Sequence, residues 1–150
     1  RENFKTYLFP YVEANFAMSS DPAYRAFGRL SLGDGLTLNV LFNCTASFSS
    51  FAVMSPTPAP AAENIAYNST ALLNVGIFTG AAFYDLTFDW IRNFQAAMDE
   101  VGITYLSHFP QNGAHQWSTT YFKTALWRDV PYTAQTSAQK PETFSRGVPY

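Results

Sequence analysis

The sequence predicts an α/β domain, a three-layer arrangement with helices on both faces of a mostly parallel sheet. Three observations carry this. Segments of helical period alternate with short continuous apolar runs, and that alternation builds a parallel sheet. The short runs lack the in–out pattern of a half-exposed strand, as strands covered on both faces do. The 150 residues are 47% apolar and 17% aromatic but only 13% charged, which excludes a disordered chain. Repeats rich in Ala, Glu, Lys and Leu are absent, which disfavours a coiled coil.

The elements follow in order. Phe4, Leu8, Val12 and Phe16 stand at helical spacing within 1–16, with Pro10 inside the pattern. Residues 17–23 form a turn, and 24–30 read as a short buried strand. Ser31-Leu32-Gly33-Asp34-Gly35 is a tight glycine turn, and 36–44 fit a helix with Leu38, Val40, Leu41 and Cys44 on one side. Residues 48–54 form a strand ending at Ser55-Pro56, and 55–64 a proline-rich loop. Residues 74–79 form another strand, closed by Gly80. From 86 to 101 the spacing of Phe88, Ile91, Phe94, Ala97, Met98 and Val101 gives an amphipathic helix capped by Gly102. Residues 103–109 form a strand, 110–113 a loop, and 117–130 a candidate terminal helix. Residues 134–150 lose periodicity and read as a tail or linker after a domain over 1–133.

Composition narrows the function. Net charge is −2, so there is no general attraction to nucleic acid. No apolar run reaches ~18 residues, so no membrane-spanning helix is expected. Cys44 is the single cysteine, which excludes an intrachain disulfide. One cysteine and two histidines make no metal cluster, and neither a phosphate loop nor a dinucleotide fingerprint occurs, so no cofactor is expected. The triplets Asn43-Cys44-Thr45 and Asn68-Ser69-Thr70 fit glycosylation sequons, a weak pointer to secretion. The chain opens at Arg1 rather than Met, so its N-terminus is read as processed, excised or incompletely represented.

The chemistry-bearing residues fall at strand ends, where open parallel sheets place their sites. Ser31 follows the strand 24–30 and opens a helix. Asp85 follows 74–79, and His115 follows 103–109. Ser–Asp–His is the chain order of nucleophile, acid and base in one large class of hydrolases. A serine hydroxyl is a weak nucleophile and needs a base for its proton, here His115. A carboxylate behind the imidazole fixes its tautomer and stabilises its charged form, here Asp85. The sharp turn would aim the backbone N–H of Leu32 at a developing oxyanion. Each residue also has a plainer reading: Ser31 and Asp85 as helix caps, His115 as a loop residue. Asp89 and Asp34 are rivals for the acid, and His108 lies inside a strand pattern. Trp117 and Tyr84 are candidates for lining a substrate pocket, or for core packing.

The stretch YRAFGRLSLGDGLTLN resembles the nucleophile region of the esterase D, feruloyl esterase and acetylxylan esterase group, where a segment like RAIAGLSMGGGQTLN is common. Arg25, Ala26, Leu30, Ser31, Gly33, Gly35, Thr37, Leu38 and Asn39 match without gaps. FPYVEANF resembles the family's helix before this turn, and FAVMSPTP its strand after it. GIFTGAAFYD resembles its acid loop, and GITYLSHFPQNGAHQW its histidine loop. The resemblance spans residue 3 to about 132. It implies the C-terminal part of an α/β-hydrolase domain, secreted ester hydrolysis on plant cell-wall polysaccharide, and a triad of Ser31, Asp85 and His115. It also implies several preceding strands, including the loop of a second oxyanion donor, so that another polypeptide segment would complete the sheet.

Two residues depart from the family pattern. Arg29 stands where a small glycine is usual, so the turn is strained or the side chain is displaced outward. Asp34 replaces a glycine and either disturbs the serine or pairs with Arg29. These departures motivate an alternative: a catalytically impaired relative that binds carbohydrate or serves as a structural subunit.

Overall fold

A computed structural model describes residues 3–57, 62–111 and 113–116 of the chain. The candidate helix 117–130, the tail 134–150 and Trp117 lie outside the described residues. Four parallel strands are described: β1 (Ala26–Leu30), β2 (Ser50–Met54), β3 (Gly76–Gly80) and β4 (Leu106–His108), in the spatial order of the chain. The register sets Phe27 beside Phe51, Phe51 beside Ile77, and Phe78 beside Leu106. Three helices make the crossovers: α2 (Asp34–Asn43), α3 (Ala62–Leu72) and α4 (Phe88–Glu100), after an N-terminal α1 (Phe9–Asn15). Helical crossovers are what parallel neighbours require.

The larger core lies between the helices and one sheet face. Phe51, Val53 and Ile77 of the strands meet Leu38 and Leu41 of α2, Ile65 and Leu72 of α3, and Ile91, Phe94 and Met98 of α4. The opposite strand positions, Ala52, Met54 and Phe78, form a second buried cluster with Leu30 and Leu106. β2 is therefore buried at every residue, as its continuous apolar run requires. A buried polar chain ties α4 to the sheet. Gln95 Nε2 donates to Thr79 Oγ1 at 2.7 Å, and Thr79 Oγ1 donates to the Leu106 carbonyl at 3.2 Å.

Several boundaries differ from expectation for local reasons. Pro10 stands where a π-helical turn (Phe4–Leu8) gives way to α1, with the Phe9 N–H donating back to the Phe4 carbonyl. Tyr24 belongs to a 3₁₀ turn, Pro22–Tyr24, that Asp21 caps by accepting the Ala23 N–H at 2.9 Å. The strand thus starts at Ala26. It is not buried as expected: Ala26, Gly28 and Arg29 are exposed, because β1 pairs only with β2 among the described residues. A 3₁₀ turn, Thr45–Ser47, delays β2 to Ser50. The helix α3 begins at Ala62, inside what reads as proline-rich loop. Gly102 lies just past α4 with φ 73°, the left-handed conformation a helix terminator needs.

Candidate active site

Ser31 leaves β1 with φ 60°, a strained value for a residue with a side chain. It opens a 3₁₀ turn, Ser31–Gly33, that runs directly into α2. Such a strand–turn–helix presents a serine oxygen above the sheet. The space for the turn comes from Gly33. A Cβ there would lie 2.8 Å from Arg29 Nε and 3.2 Å from Arg29 Cβ. The Arg29 side chain therefore leaves the exposed strand and lies across Gly33. Its bulk is displaced outward, and the turn closes.

The loops after β3 and β4 carry the other two groups and are laced together. The Phe83 N–H donates to the Pro110 carbonyl at 3.0 Å, and the Tyr84 N–H to the Gly113 carbonyl at 3.2 Å. This brings His115 over Asp85. His115 Nδ1 lies 3.0 Å from Asp85 Oδ1 and 3.1 Å from Oδ2, and Nε2 lies 2.5 Å from Ser31 Oγ. The histidine side chain is 28% exposed, and that of Asp85 is fully buried. The imidazole thus bridges a reachable hydroxyl and a buried carboxylate.

Burial alone would push the Asp85 carboxyl up. The hydrogen bonds from Ser55, the Thr87 N–H, His115 and the Thr87 hydroxyl outweigh it and hold the group below its ordinary value. Ser55 Oγ donates to Oδ2 at 2.7 Å, while the Thr87 N–H and Oγ1 donate to Oδ1 at 2.7 and 2.8 Å. Neither Ser55 nor Thr87 stands out in the sequence. The available hint was Ser55 itself, a hydroxyl at a strand's carboxyl end just before a proline.

The rivals sit elsewhere. Asp89 lies in the first turn of α4, and the imidazole contacts Asp85 instead. Asp34 is fully buried and forms no ion pair with Arg29; the ion pairs among the described residues are Arg25–Glu13 and His115–Asp85. Its carboxyl oxygens approach the Met54 main chain and Thr37 without closing a hydrogen bond, and burial pushes the group up to about 8. Burial thus favours its neutral form beside the serine. His108 ends β4, and burial pushes its imidazole down. Leu32 is the second residue of the 3₁₀ turn, and its side chain is 83% exposed. Tyr84 is 72% exposed, packed edge-on against Phe83, so it is not a core residue.

No family model and no curated protein matches the chain. Solved structures do. It is similar to a ferulic acid esterase, with a TM-score of 0.69 at 20% identity, over 77% of this chain and 53% of that one. It is similar to a mutant feruloyl esterase module from Clostridium thermocellum complexed with sinapinate, with a TM-score of 0.69 at 16% identity, over 89% and 57%. It is also similar to S-formylglutathione hydrolase from Staphylococcus aureus, with a TM-score of 0.61 at 13% identity, over 77% and 55%. These likenesses show the fold: the chain carries part of an α/β-hydrolase fold. It spans little more than half the length of these solved structures.

Proposed function

We propose that this chain carries the catalytic serine, histidine and aspartate of a serine carboxylesterase. The observation that supports it most is the His115 ring between Ser31 Oγ and the Asp85 carboxylate. In this reading His115 Nε2 takes the Ser31 proton as Oγ attacks the ester carbonyl carbon. The carbonyl oxygen becomes an oxyanion facing the Leu32 N–H, which has no intrahelical acceptor at the start of its turn. Collapse expels the alcohol, which takes its proton from His115 and leaves an acyl-serine. Water then attacks the acyl carbon and gives a proton to His115; the bond to Ser31 Oγ breaks, Oγ takes that proton back from His115, and the acid leaves. Asp85, held ionised, stabilises the imidazolium in both halves.

The proposed substrates are feruloyl or acetyl esters on plant cell-wall polysaccharide, met outside the cell. The resemblance around Ser31 and the similarity to feruloyl esterase structures support this class. Exposed Leu32, Tyr84 and Leu86 flank the serine and the aspartate in sequence and would form an apolar rim for the acyl group. A second polypeptide segment beside β1 completes the sheet in this proposal, and the exposed residues of that strand support it.

Labelling by a fluorophosphonate and turnover of small aryl esters test the reading. Both are expected in the protein as it stands and lost in Ser31→Ala, with a drop in kcat of about 10⁴-fold or more. Labelling that persists in Ser31→Ala would remove the nucleophile from this site.

A further inference from the structure

We infer that Ser55 is a positioning residue for the site, its hydroxyl fixing the plane of the Asp85 carboxylate so that both oxygens face His115. The inference rests on the hydrolase reading for its consequence in catalysis, though not for its geometry. Three observations carry it. Ser55 is 1% exposed and its Oγ donates to Asp85 Oδ2 at 2.7 Å. Its backbone is held at φ 46°. Its N–H donates to the Gly80 carbonyl at 2.8 Å, clasping the end of β2 to the end of β3.

The strain is informative. Among the described residues, the side-chain-bearing positions with positive φ are Ser31 and Ser55. A left-handed serine is strained and persists where its surroundings over-determine it. Glycine would adopt the same backbone freely. A serine there keeps a hydroxyl where Asp85 needs a donor. Thr87 anchors only Oδ1, through its N–H and hydroxyl. Oδ2 has Ser55 and His115. With the Ser55 hydroxyl removed, the carboxylate can turn about its Cβ–Cγ bond on the Thr87 anchor. The near-equal approach of His115 Nδ1 to both oxygens is then lost, and the imidazole is held less firmly over Ser31.

The test compares Ser55→Ala and Ser55→Gly with the unmodified protein. Both lack the hydroxyl, but only glycine relaxes the backbone, so the glycine variant keeps the fold if alanine does not. The main readout is the His115 Nδ1 proton resonance, which needs no substrate. It is expected to move upfield and broaden in both variants. In aryl-ester assays kcat is expected to fall roughly tenfold, the low end of what a hydrogen bond to a charged group is worth, with KM unchanged. A resonance unchanged in both variants overturns the inference. So does a change in alanine but not glycine, which would assign the effect to the backbone. If the unmodified protein shows the resonance but no turnover, the hydrolase reading fails while the resonance still decides the role of Ser55.

Discussion

Asp34 is the residue whose environment is most at odds with its chemistry. Its carboxyl is fully buried in the first turn of α2 without a closed hydrogen bond, and burial pushes it up to about 8 from an ordinary 3.8. The sign of its linkage follows. Between those values the folded chain keeps the Asp34 proton and the unfolded chain releases it. Stability from this residue therefore falls as pH rises from about 4 to about 8, and levels off above. Asp34→Asn removes the ionisation but keeps the shape. Urea midpoints for Asn and Asp should coincide near pH 4 and separate toward pH 8, with Asn the more stable by up to several kcal/mol. A constant gap at all pH values would mean that Asp34 is not protonated in the fold. The same burial favours the neutral form of Asp34 near the serine. The sequence offered it as a charge beside the nucleophile, because spacing gives proximity along the chain but not the direction of a side chain.

At the scale of the element, β1, the 3₁₀ turn and α2 form one unit whose fit depends on Arg29 lying across Gly33. Gly33→Ala should cost about 1–3 kcal/mol, since its Cβ would meet the Arg29 stem and not only its tip. Arg29→Gly should cost less than about 1 kcal/mol in an exposed strand, and should absorb much of the Gly33→Ala penalty when the two are combined. Urea unfolding of the four proteins reads the coupling, and strict additivity would show that the contact does not set the turn. Elements of this kind were legible where pattern and environment agreed. The continuous apolar run of 48–54 led to β2, and the spacing from Phe88 to Met98 led to α4. Boundaries slipped where a short polar turn intervened, at Asp21 and at Thr45, because a capped 3₁₀ turn has no period to detect. The meeting of Ser31, Asp85 and His115 was legible from their order at strand ends. Ser55 and Thr87 were not, since a hydroxyl that holds a carboxylate looks like any other loop hydroxyl.

The exposure of β1 belongs to the whole molecule. Apolar clusters lie on both faces of the sheet, the larger one under the helices, yet β1 leaves Ala26, Gly28 and Arg29 exposed beside its single described neighbour. An exposed strand edge is a template for pairing with further backbone, and native edges are usually covered or charged. Arg29 is the charged residue of this strand, and its side chain lies across Gly33. Exposed Tyr7, Tyr11 and Phe16 add apolar surface along the N-terminal helical segment. A chain with 13% charged residues has few repulsive groups to keep such surfaces apart. The 16.7 kDa chain is therefore expected to self-associate at micromolar concentration, or to take up a complementary segment offered in trans. Ala26→Lys places a charge on the exposed edge and should shift sedimentation toward the monomer without changing the helical signal. A monodisperse 16.7 kDa species that unfolds cooperatively, and that Ala26→Lys leaves unaltered, would show that the sheet needs no partner at β1. The proposed completing segment would then have to be given up, and the Ser31–His115–Asp85 arrangement would stand or fall as the site of the chain by itself.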